Sequence, residues 1–403
     1  MTTPYPLQWI AGLASAVLPY IRPVHPHRVV LTSFHGDGYR GNTKVLFEHL
    51  IDHETFEPVW LSRNHTLVQD LKDRFGPEHA AKAHFPAGLT ALAEARALFL
   101  THGTSDYPFL FLPRHALRIQ TYHGLPTKRG EYLRPHADDP PNWMHRQILK
   151  YRFEPITHFL SSSSQVTDVF SARFGLPKAR FVETGFPSYD ALMNRTVPPF
   201  NAHDFWPNAP AAESLILYAP TFRKVGQSDT FPYRTLLSAE WFPFEDLNIE
   251  HIAQFLDEHQ AILALRPHPN EQTSLKRFTS ASPRIVYAGQ EAIEDVNELI
   301  LRAHAIITDY SGIYIEGLLK DVPPVFVPYD QATYERGFAI PYEEVTPGPK
   351  VHRQQTLLTA LEEALQGAPT YEEERKRVRD LFFAETDGRS TERVVQMLED
   401  ELL

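Results

Sequence analysis

The stretch RVVLTSFHGDGYRGNTKVLFEHLI, Arg28–Ile51, indicates how the chain folds. It opens with an apolar, β-branched run, passes through a loop with three glycines, and continues into an amphipathic helix that starts near Asn42. Short apolar runs that end in small or polar residues recur downstream as FEPVWLS, ALFLTHG and LRIQTYHG, with helical segments between them. This alternation predicts an α/β domain with a parallel sheet and crossover helices.

The same alternation returns after a proline-rich segment near residues 196–214, in the runs LILYAPTFR, AILALRPHP, RIVYAG and AIITDYSG. A chain of 403 residues is long enough for two such domains. The predicted organisation is an apolar N-terminal segment, a first α/β domain, a linker, a second α/β domain and a C-terminal helix, with bounds 1–27, 28–195, 196–213, 214–380 and 381–403.

Composition excludes several classes of protein. The chain has no cysteine, which rules out disulfides, thiolate metal sites and thiol nucleophiles. A net charge of -11 argues against a nucleic-acid-coating surface, and the sequence lacks the ~20 consecutive apolar residues of a membrane span. The apolar segment Leu7–Ile21 leaves two alternatives, a helix that lies on a membrane surface or one that packs on the core.

Candidate site residues follow the predicted strands, because ligands of open α/β sheets bind beyond the carboxyl ends of the strands. In the first half, His123 within TYHGLPTKRG is a candidate general base, since a histidine with a pKa near 6.5 can accept a proton from an alcohol. Lys128 and His35 are candidates for the acceptor side, and His102 also ends a predicted strand. The alternative for each is an ordinary loop residue.

In the second half, Ser311 and Gly312 stand where a helix N-terminus would offer backbone N–H groups to a phosphate; the alternative is that Ser311 is a simple helix cap. Glu316, one turn later, would reach ligand hydroxyls or face solvent. Arg223 would supply a permanent charge to the same anion, and His268, fixed between two prolines, would donate to it; their alternatives are a surface ion pair and a turn residue.

No phosphate-loop, dinucleotide-binding or HExxH motif occurs. Neither the pair His25 and His27 nor the pair Asp138 and Asp139 has further metal-ligating residues at a spacing typical of metal sites. No metal site and no cofactor is therefore predicted.

The ordered set of segments resembles the CDP-glycerol glycerophosphotransferase family of teichoic-acid and capsule synthesis. The resemblance covers most of residues 29–395 and rests on GNTKVLFEHL, QTYHGLPTKRG, VETGFPSYDAL, LYAPTFR, LRPHP, ITDYSGIYIEG, YDQATYERGF, EEVTPGP and FFAETDGRSTERV. It implies a GT-B-type fold of two facing Rossmann-like domains with a cleft between them. It also implies transfer of glycerol phosphate or a related polyol phosphate from a CDP-activated donor to an acceptor hydroxyl, with release of CMP.

The resemblance further implies residue roles, a partner and a place in the cell. His123 would be the base; Arg223, His268 and Ser311, with the backbone of Gly312, would contact the donor diphosphate. Glu316 would contact the donor ribose or polyol. The acceptor would be lipid-linked or an oligosaccharide, and the protein would be cytoplasmic, with peripheral attachment to the inner face of the cytoplasmic membrane.

The chain departs from the family pattern at three places. The usual HGTPLK is HGLPTK, the second serine of DYSS is Gly312, and the following acidic residue, usually aspartate, is Glu316. These departures bear on which polyol the donor carries and on the acceptor. Two alternatives to the transferase are a GT-B glycosyltransferase that uses a nucleotide sugar and a non-catalytic family member that binds a polymer.

Overall fold

The computed structural model describes residues 5–128, 143–221, 241–267, 275–331, 334 and 337–403. Within them the chain forms two compact units. The first unit takes in residues 5–124, 143–191 and 383–403, and the second takes in 125–128 and the described residues of 192–382. These units differ from the predicted domains in that the C-terminal residues return to the first unit and a short segment after residue 124 belongs to the second.

The first unit is built on a seven-stranded sheet with the order β3-β2-β1-β4-β5-β6-β7, in which every neighbouring pair is parallel. Its strands are β1 Arg28–Leu31, β2 Glu57–Ser62, β3 Ala80–Lys82, β4 Ala97–Leu100, β5 Leu117–Gln120, β6 His158–Ser161 and β7 Phe181–Glu183. In the central strands, Val30 is in register with Val59 and Leu98. Continuous apolar strands of this kind are typical of a parallel sheet that is covered on both faces.

Helices connect these strands. The described helices of the first unit are α1 Tyr5–Ile21, α2 Gly41–Ile51, α3 His65–Phe75, α4 Pro86–Ala93, α5 Trp143–Phe153, α6 Ser164–Phe174, α7 Pro187–Asn194, whose last residues belong to the second unit, and α15 Ser390–Leu402. Local sequence fixes their ends: the Ser163 hydroxyl accepts the Val166 N–H to cap α6, which ends at Gly175 in a left-handed conformation (φ 64°).

The second unit has a five-stranded parallel sheet with the order β10-β9-β8-β11-β12. Its strands are β8 Ser214–Tyr218, β9 Ala261–Leu265, β10 Ile285–Tyr287, β11 Ala305–Thr308 and β12 Pro324–Phe326. Its described helices are α8 Ile249–Glu258, α9 Lys276–Thr279, α10 Asn297–Ile300, α11 Ile313–Leu318, α12 Tyr342–Val345, α13 Gln354–Leu365 and α14 Glu372–Phe382. Trp241 and Phe278, both at most 2% exposed, fill the core under this sheet.

The alternating α/β architecture that the sequence predicts is confirmed in both units. Three strands were not predicted from the sequence: β3, β6 and β7. The proline-rich stretch carries one 3-10 turn, Ala202–Asp204, between α7 and β8.

The C-terminal helix α15 is tied to α7 through one carboxylate. Asp190 accepts hydrogen bonds from the Ser390 N–H (2.9 Å), the Thr391 N–H (2.7 Å) and the Thr391 hydroxyl (2.6 Å). An aspartate at a helix N-terminus satisfies free N–H groups and favours the helix dipole. These bonds hold the chain end on the first unit.

The N-terminal helix α1 packs on the first unit with one side and is exposed on the other. It packs against α4, where Ala11 is buried. Its other side exposes large apolar residues to solvent: Leu7, Trp9, Ile10, Leu13, Val17, Tyr20 and Ile21. No helix in the described part of the chain is long and apolar enough to cross a membrane.

Each sheet reverses its strand order at one point. In the first unit the reversal lies between β1 and β4, and in the second between β8 and β11. The loops that follow two neighbouring strands diverge at such a point and leave a crevice where ligands of open α/β sheets bind. A ligand-binding site is therefore expected at the carboxyl ends of the strands at these two points.

Candidate active site

Three histidines converge at the carboxyl ends of β1, β4 and β5, which are neighbours in the first sheet. His35 follows β1, His102 follows β4 and His123 follows β5. The His102 and His123 rings are stacked, with centroids 4.0 Å apart and planes 4° from parallel. The His35 ring lies 4.4 Å from that of His102. We call these three residues the histidine cluster.

One hydrogen bond defines the tautomer of His123. Its Nδ1 lies 3.1 Å from the carbonyl oxygen of Thr101. A carbonyl can only accept, so Nδ1 carries the proton and Nε2 keeps its lone pair. His123 as a residue reaches the surface, while its ring packs against the rings of His102 and Tyr122. The free Nε2 of a neutral imidazole can take a proton from a hydroxyl group.

The surroundings keep both stacked imidazoles neutral. Desolvation, together with the neighbouring His102, lowers the pKa of His123 to about 3, although the Thr101 carbonyl opposes this shift. Desolvation, followed by the charges of His35, Arg152 and Arg40, lowers the pKa of His102 to about 3. A positive charge on either ring is therefore disfavoured at neutral pH.

A buried carboxylate holds the loops of the cluster. Asp106, 1% exposed, accepts the His35 N–H at 2.7 Å on one oxygen and the N–H groups of Thr101 (2.5 Å) and His102 (2.8 Å) on the other. The Thr101 hydroxyl donates to the same oxygen at 3.1 Å. Bonds from N–H groups to an ionised acceptor are among the stronger hydrogen bonds of proteins. Asp106 thus fixes the ends of β1 and β4 relative to each other.

Three residues of the cluster loops adopt left-handed backbone conformations without being glycine: Phe34 (φ 48°), His35 (φ 61°) and Tyr122 (φ 57°). Such conformations cost of order 1–3 kcal/mol and persist where the surroundings over-determine them, which is common at functional sites. Gly124, next to His123, has φ 159° and open space where a Cβ would stand. A ligand can therefore approach the backbone there closely.

Arginines surround the histidine cluster. The Arg40 guanidinium lies 3.8 Å from the centre of the Phe34 ring, next to His35 in the chain, and Arg152 donates to the His102 carbonyl at 3.2 Å. Arg173 lowers the pKa of His123 by its charge. Neutral imidazoles among permanent cations suit an anionic substrate.

In the second unit the corresponding strand ends are joined by Asp309, which follows β11 and is 2% exposed. Its carboxylate accepts the Thr221 N–H at 2.7 Å and the Tyr310 N–H at 2.5 Å. The Thr308 hydroxyl donates to the Ala219 carbonyl at 2.9 Å. The loops after β8 and β11 are thereby held together at the second reversal point.

Ser311, Gly312 and Glu316 lie directly beyond Asp309. Gly312 is the N-cap residue of α11, with helical backbone angles (φ -74°, ψ -5°) and no side-chain cap bond. Ser311, Gly312 and Glu316 are all partly exposed. α11 itself is short, at six residues. Ser311 and Gly312 follow β11, at the strand end where the sequence predicted them.

The segment after His123 packs within the second unit. The Ala339 N–H donates to the Thr127 carbonyl at 3.1 Å, and Lys128 forms an isolated antiparallel bridge with Phe338. A Cβ added to Gly312 would stand 3.3 Å from the Thr127 methyl group. Lys128, predicted beside His123 on the acceptor side, therefore belongs to the unit that contains Ser311.

Two predicted donor contacts, Arg223 and His268, lie outside the described residues, as do Asp138 and Asp139. His25 and His27 lie before β1. Within the described ranges no group of three or more His, Cys, Asp or Glu side chains is placed to hold a metal ion.

Sequence reasoning found His123 and His35 but assigned no role to His102 and overlooked Asp106 and Asn42. Asp106 follows His102 by four residues, and Asn42 is the second residue of α2, after Gly41. Neither spacing is distinctive, because both side chains act on strand ends that are distant in sequence. Only the folded sheet brings those ends together.

Comparisons with known proteins agree with this architecture. Residues 15–400 match the family model described as CDP-Glycerol:Poly(glycerophosphate) glycerophosphotransferase. A teichoic acid glycerol-phosphate transferase of Staphylococcus aureus is 26% identical over 388 residues, which cover 92% of each chain. A teichoic acid poly(glycerol phosphate) polymerase of Staphylococcus epidermidis is 25% identical over 94% of this chain, which spans 51% of the polymerase.

The fold is that of a solved family structure. The structure of the wall teichoic acid polymerase TagF superposes with a TM-score of 0.72 at 21% identity, over 97% of this chain and 94% of that one. The expected GT-B fold of two parallel α/β domains is thereby confirmed, as is the resemblance inferred from the ordered motifs. The chain belongs to the CDP-glycerol:poly(glycerophosphate) glycerophosphotransferase family, enzymes that transfer glycerol phosphate in the synthesis of cell-envelope polymers.

Proposed function

We propose that His123 is the general base of a transfer in which glycerol phosphate, or a related polyol phosphate, moves from a CDP-activated donor to an acceptor hydroxyl. The observation that carries this proposal is the Nδ1 bond from His123 to the Thr101 carbonyl, which leaves Nε2 unprotonated. The family match supplies the reaction class. The residue supplies the proton acceptor that the reaction needs.

In the proposed step the acceptor oxygen forms a bond to the phosphorus that carries the polyol, and its proton passes to Nε2 of His123. The bond from that phosphorus to the bridging oxygen breaks, and CMP leaves with both electrons of the bond. The imidazolium then returns its proton to solvent. Each atom and charge is accounted for without a cofactor, and the proposal includes none.

An imidazole with a pKa of about 3 is a weak base, but binding of the donor would raise the pKa of His123. The donor diphosphate is anionic, and a nearby negative charge favours the protonated form of a histidine. The pKa of His123 therefore rises when the donor binds. The low value in the free protein keeps the ring unprotonated and ready before binding.

We propose that the donor diphosphate is held by Ser311, the Gly312 backbone, Arg223 and His268. The location of Ser311 and Gly312 beyond β11, at the reversal point of the second sheet, supports this. Glu316, partly exposed one turn later, is proposed to accept hydrogen bonds from the donor ribose or polyol. His35 and Lys128 remain proposed contacts of the acceptor.

We propose that the acceptor is lipid-linked or an oligosaccharide and that the protein works at the cytoplasmic face of the membrane. The support is the exposed side of α1, where Trp9 is 65% and Leu13 70% exposed. Exposed apolar surfaces of this extent on a helix suit insertion at the boundary of headgroups and acyl chains. Attachment by α1 would bring the acceptor hydroxyl and the histidine cluster to the same surface.

The test combines product analysis with one substitution. Purified protein is incubated with CDP-glycerol or CDP-ribitol and a short glycerol-phosphate oligomer, and products are identified by mass spectrometry. We expect CMP and a lengthened oligomer, and we expect His123→Asn to lower kcat by about 10²–10⁴-fold. His259→Asn, at the end of α8, is the matched control and should retain turnover.

Three outcomes would contradict the proposal. UDP released from a UDP-sugar, with no CMP from a CDP-polyol, would indicate a glycosyltransferase. Full turnover by His123→Asn would show that His123 is not the general base. Oligomer binding without any turnover in the unaltered protein would favour a polymer-binding role.

A further inference from the structure

The side chain of Asn42, the second residue of α2, is 5% exposed and makes four hydrogen bonds. Its Nδ2 donates to the carbonyl of Thr121 at 3.0 Å and to that of Tyr122 at 3.4 Å. Its Oδ1 accepts from the N–H of Ser188 at 3.0 Å and from the hydroxyl of Ser188 at 2.7 Å. One amide thus links α2, the loop after β5 and the first turn of α7.

The orientation of this amide is unique. Both carbonyls can only accept, and the Ser188 N–H can only donate, so the nitrogen must face Thr121 and Tyr122 and the oxygen must face Ser188. Two donor hydrogens and two acceptor sites are all in use. Aspartate has the same shape as asparagine but cannot donate, and glutamine is one methylene longer. Asparagine is the residue that fits the position.

The two carbonyls that Asn42 binds flank the left-handed residue Tyr122 (φ 57°). A bulky aromatic residue in this conformation is disfavoured by contact between its Cβ and the backbone. Strain of this kind persists only where neighbouring groups hold it. The next residue in the chain is His123, whose direction is set by the backbone that Tyr122 turns.

We infer that Asn42 is a positioning residue for the transfer reaction: its amide fixes the backbone on both sides of Tyr122 and thereby directs Nε2 of His123. This inference rests on the proposed role of His123 as the base. Asn42 is too buried to meet the substrate and acts through the histidine loop, residues 121–124.

The test is Asn42→Asp, which keeps the acceptor oxygen for Ser188 and replaces both donors by an oxygen that faces two carbonyls. We expect kcat for CMP release from CDP-glycerol, with a glycerol-phosphate oligomer as acceptor, to fall about 10²-fold, since a misplacement of about 1 Å costs that much. The KM for the donor should stay within about twofold. Asn42→Ser serves the same purpose if the aspartate variant does not fold.

The matched control is Ser188→Ala, which removes the hydroxyl bond on the other side of the same amide. We expect it to lower the midpoint of unfolding while kcat stays within about threefold of the unaltered protein. A second readout is the ¹⁵N signal of the His123 imidazole, which should lose its preference for the Nδ1–H tautomer in Asn42→Asp and keep it in Ser188→Ala.

Two results would overturn the inference: kcat of Asn42→Asp within about threefold of the unaltered protein, or an equal loss of kcat in Ser188→Ala. His123→Asn is assayed in parallel to separate this inference from the proposed function. If that variant is inactive while Asn42→Asp is active, the positioning role alone fails. If His123→Asn is fully active, the base assignment fails as well.

Discussion

The imidazole of His102 lies 4.0 Å from that of His123, with the two ring planes 4° from parallel. Two rings this close cannot both carry a positive charge without strong repulsion, so protonation of one lowers the pKa of the other. His102 therefore belongs to the chemistry of the site even though it follows a different strand. After desolvation, it is the next cause of the low pKa of the proposed base.

We predict that His102→Phe raises the pKa of His123 above about 3 and leaves it below the ordinary value near 6.5. Phenylalanine retains a stacked ring but carries no charge, so one cause of the low pKa is removed while desolvation remains. The measurement is an NMR titration of the His123 ring, assigned by comparison with His123→Asn. His35→Asn is the control, because His35 acts on the pKa of His102. An unchanged His123 titration in His102→Phe would refute the coupling.

The pH dependence of turnover should differ between kcat/KM and kcat. The first reports ionisation in the free enzyme, where the pKa of His123 is about 3, so we expect no acid limb from this residue between pH 8 and pH 5. The second reports the complex, where the bound diphosphate raises the pKa, so its acid limb should lie at higher pH. Steady-state assays across this range check the order of the two limbs. The reverse order would argue against His123 as the base.

Stability should fall on acidification partly through the same rings. Desolvation lowers the folded-state pKa of His102 from 6.5 to about 3, so the unfolded chain binds the proton more readily. The resulting stability is present above pH 6.5 and is lost as the pH falls towards 3, at up to about 1.4 kcal/mol per pH unit for one group. The free energy of unfolding, measured with urea between pH 7.5 and pH 4.5, should decline less steeply for His102→Phe than for the unaltered protein. Equal slopes would mean that His102 takes up a proton as easily folded as unfolded.

The sequence predicted the strands that carry the site because these strands are long apolar runs. β9 and β11 are buried throughout, and β8 is buried at every residue except its first. Uninterrupted apolar runs of this kind that end in polar residues are visible without a structure. The three-residue strands β3 and β7 are too short to show a period, and one of them contains a lysine. Their assignment depends on the neighbouring strands with which they pair.

Some residues of the candidate site could likewise be predicted from the sequence, and others could not. His123 was predictable because a histidine before a glycine at a strand end is a local pattern. The role of Asp106 was not, because its carboxylate binds N–H groups of residues that follow two different strands. The four bonds of Asn42 likewise join segments that are up to 146 residues apart. Such contacts are products of the sheet order, which single-sequence periodicity does not determine.

We predict that Asp106→Asn destabilises the first unit by about 2–3 kcal/mol. The carboxylate accepts four hydrogen bonds on two oxygens, whereas the amide has one oxygen and would direct its own donors at N–H groups. Urea unfolding measures the loss. Asp73→Asn, on α3, is the control, because among the residues that the structure describes that carboxylate accepts a hydrogen bond only from the exposed side chain of Gln69. A loss below about 0.5 kcal/mol for Asp106→Asn would show that the carboxylate bonds do not hold the strand ends.

We predict that replacing Trp9 and Leu13 by serine weakens binding to lipid vesicles at least tenfold and leaves turnover on a water-soluble acceptor unchanged. The two side chains are 65% and 70% exposed, so their removal costs little folding free energy. Sedimentation with vesicles that contain anionic lipid measures the binding. Trp143→Ser, which alters another exposed tryptophan, is the control. Equal binding by the double variant and the unaltered protein would exclude α1 as the attachment surface.

We predict that Gly312→Ser raises the donor KM and that adding Thr127→Ser reverses most of this effect. A Cβ at position 312 would stand 3.3 Å from the Thr127 methyl group and 3.5 Å from its hydroxyl oxygen, so the loop after His123 must shift by a few tenths of an ångström. Serine at position 127 removes that methyl group and relieves the contact. Donor KM and kcat of both single variants and the double variant form a cycle whose non-additivity measures the coupling. If the two effects simply add, the contact between the two positions does not control donor binding.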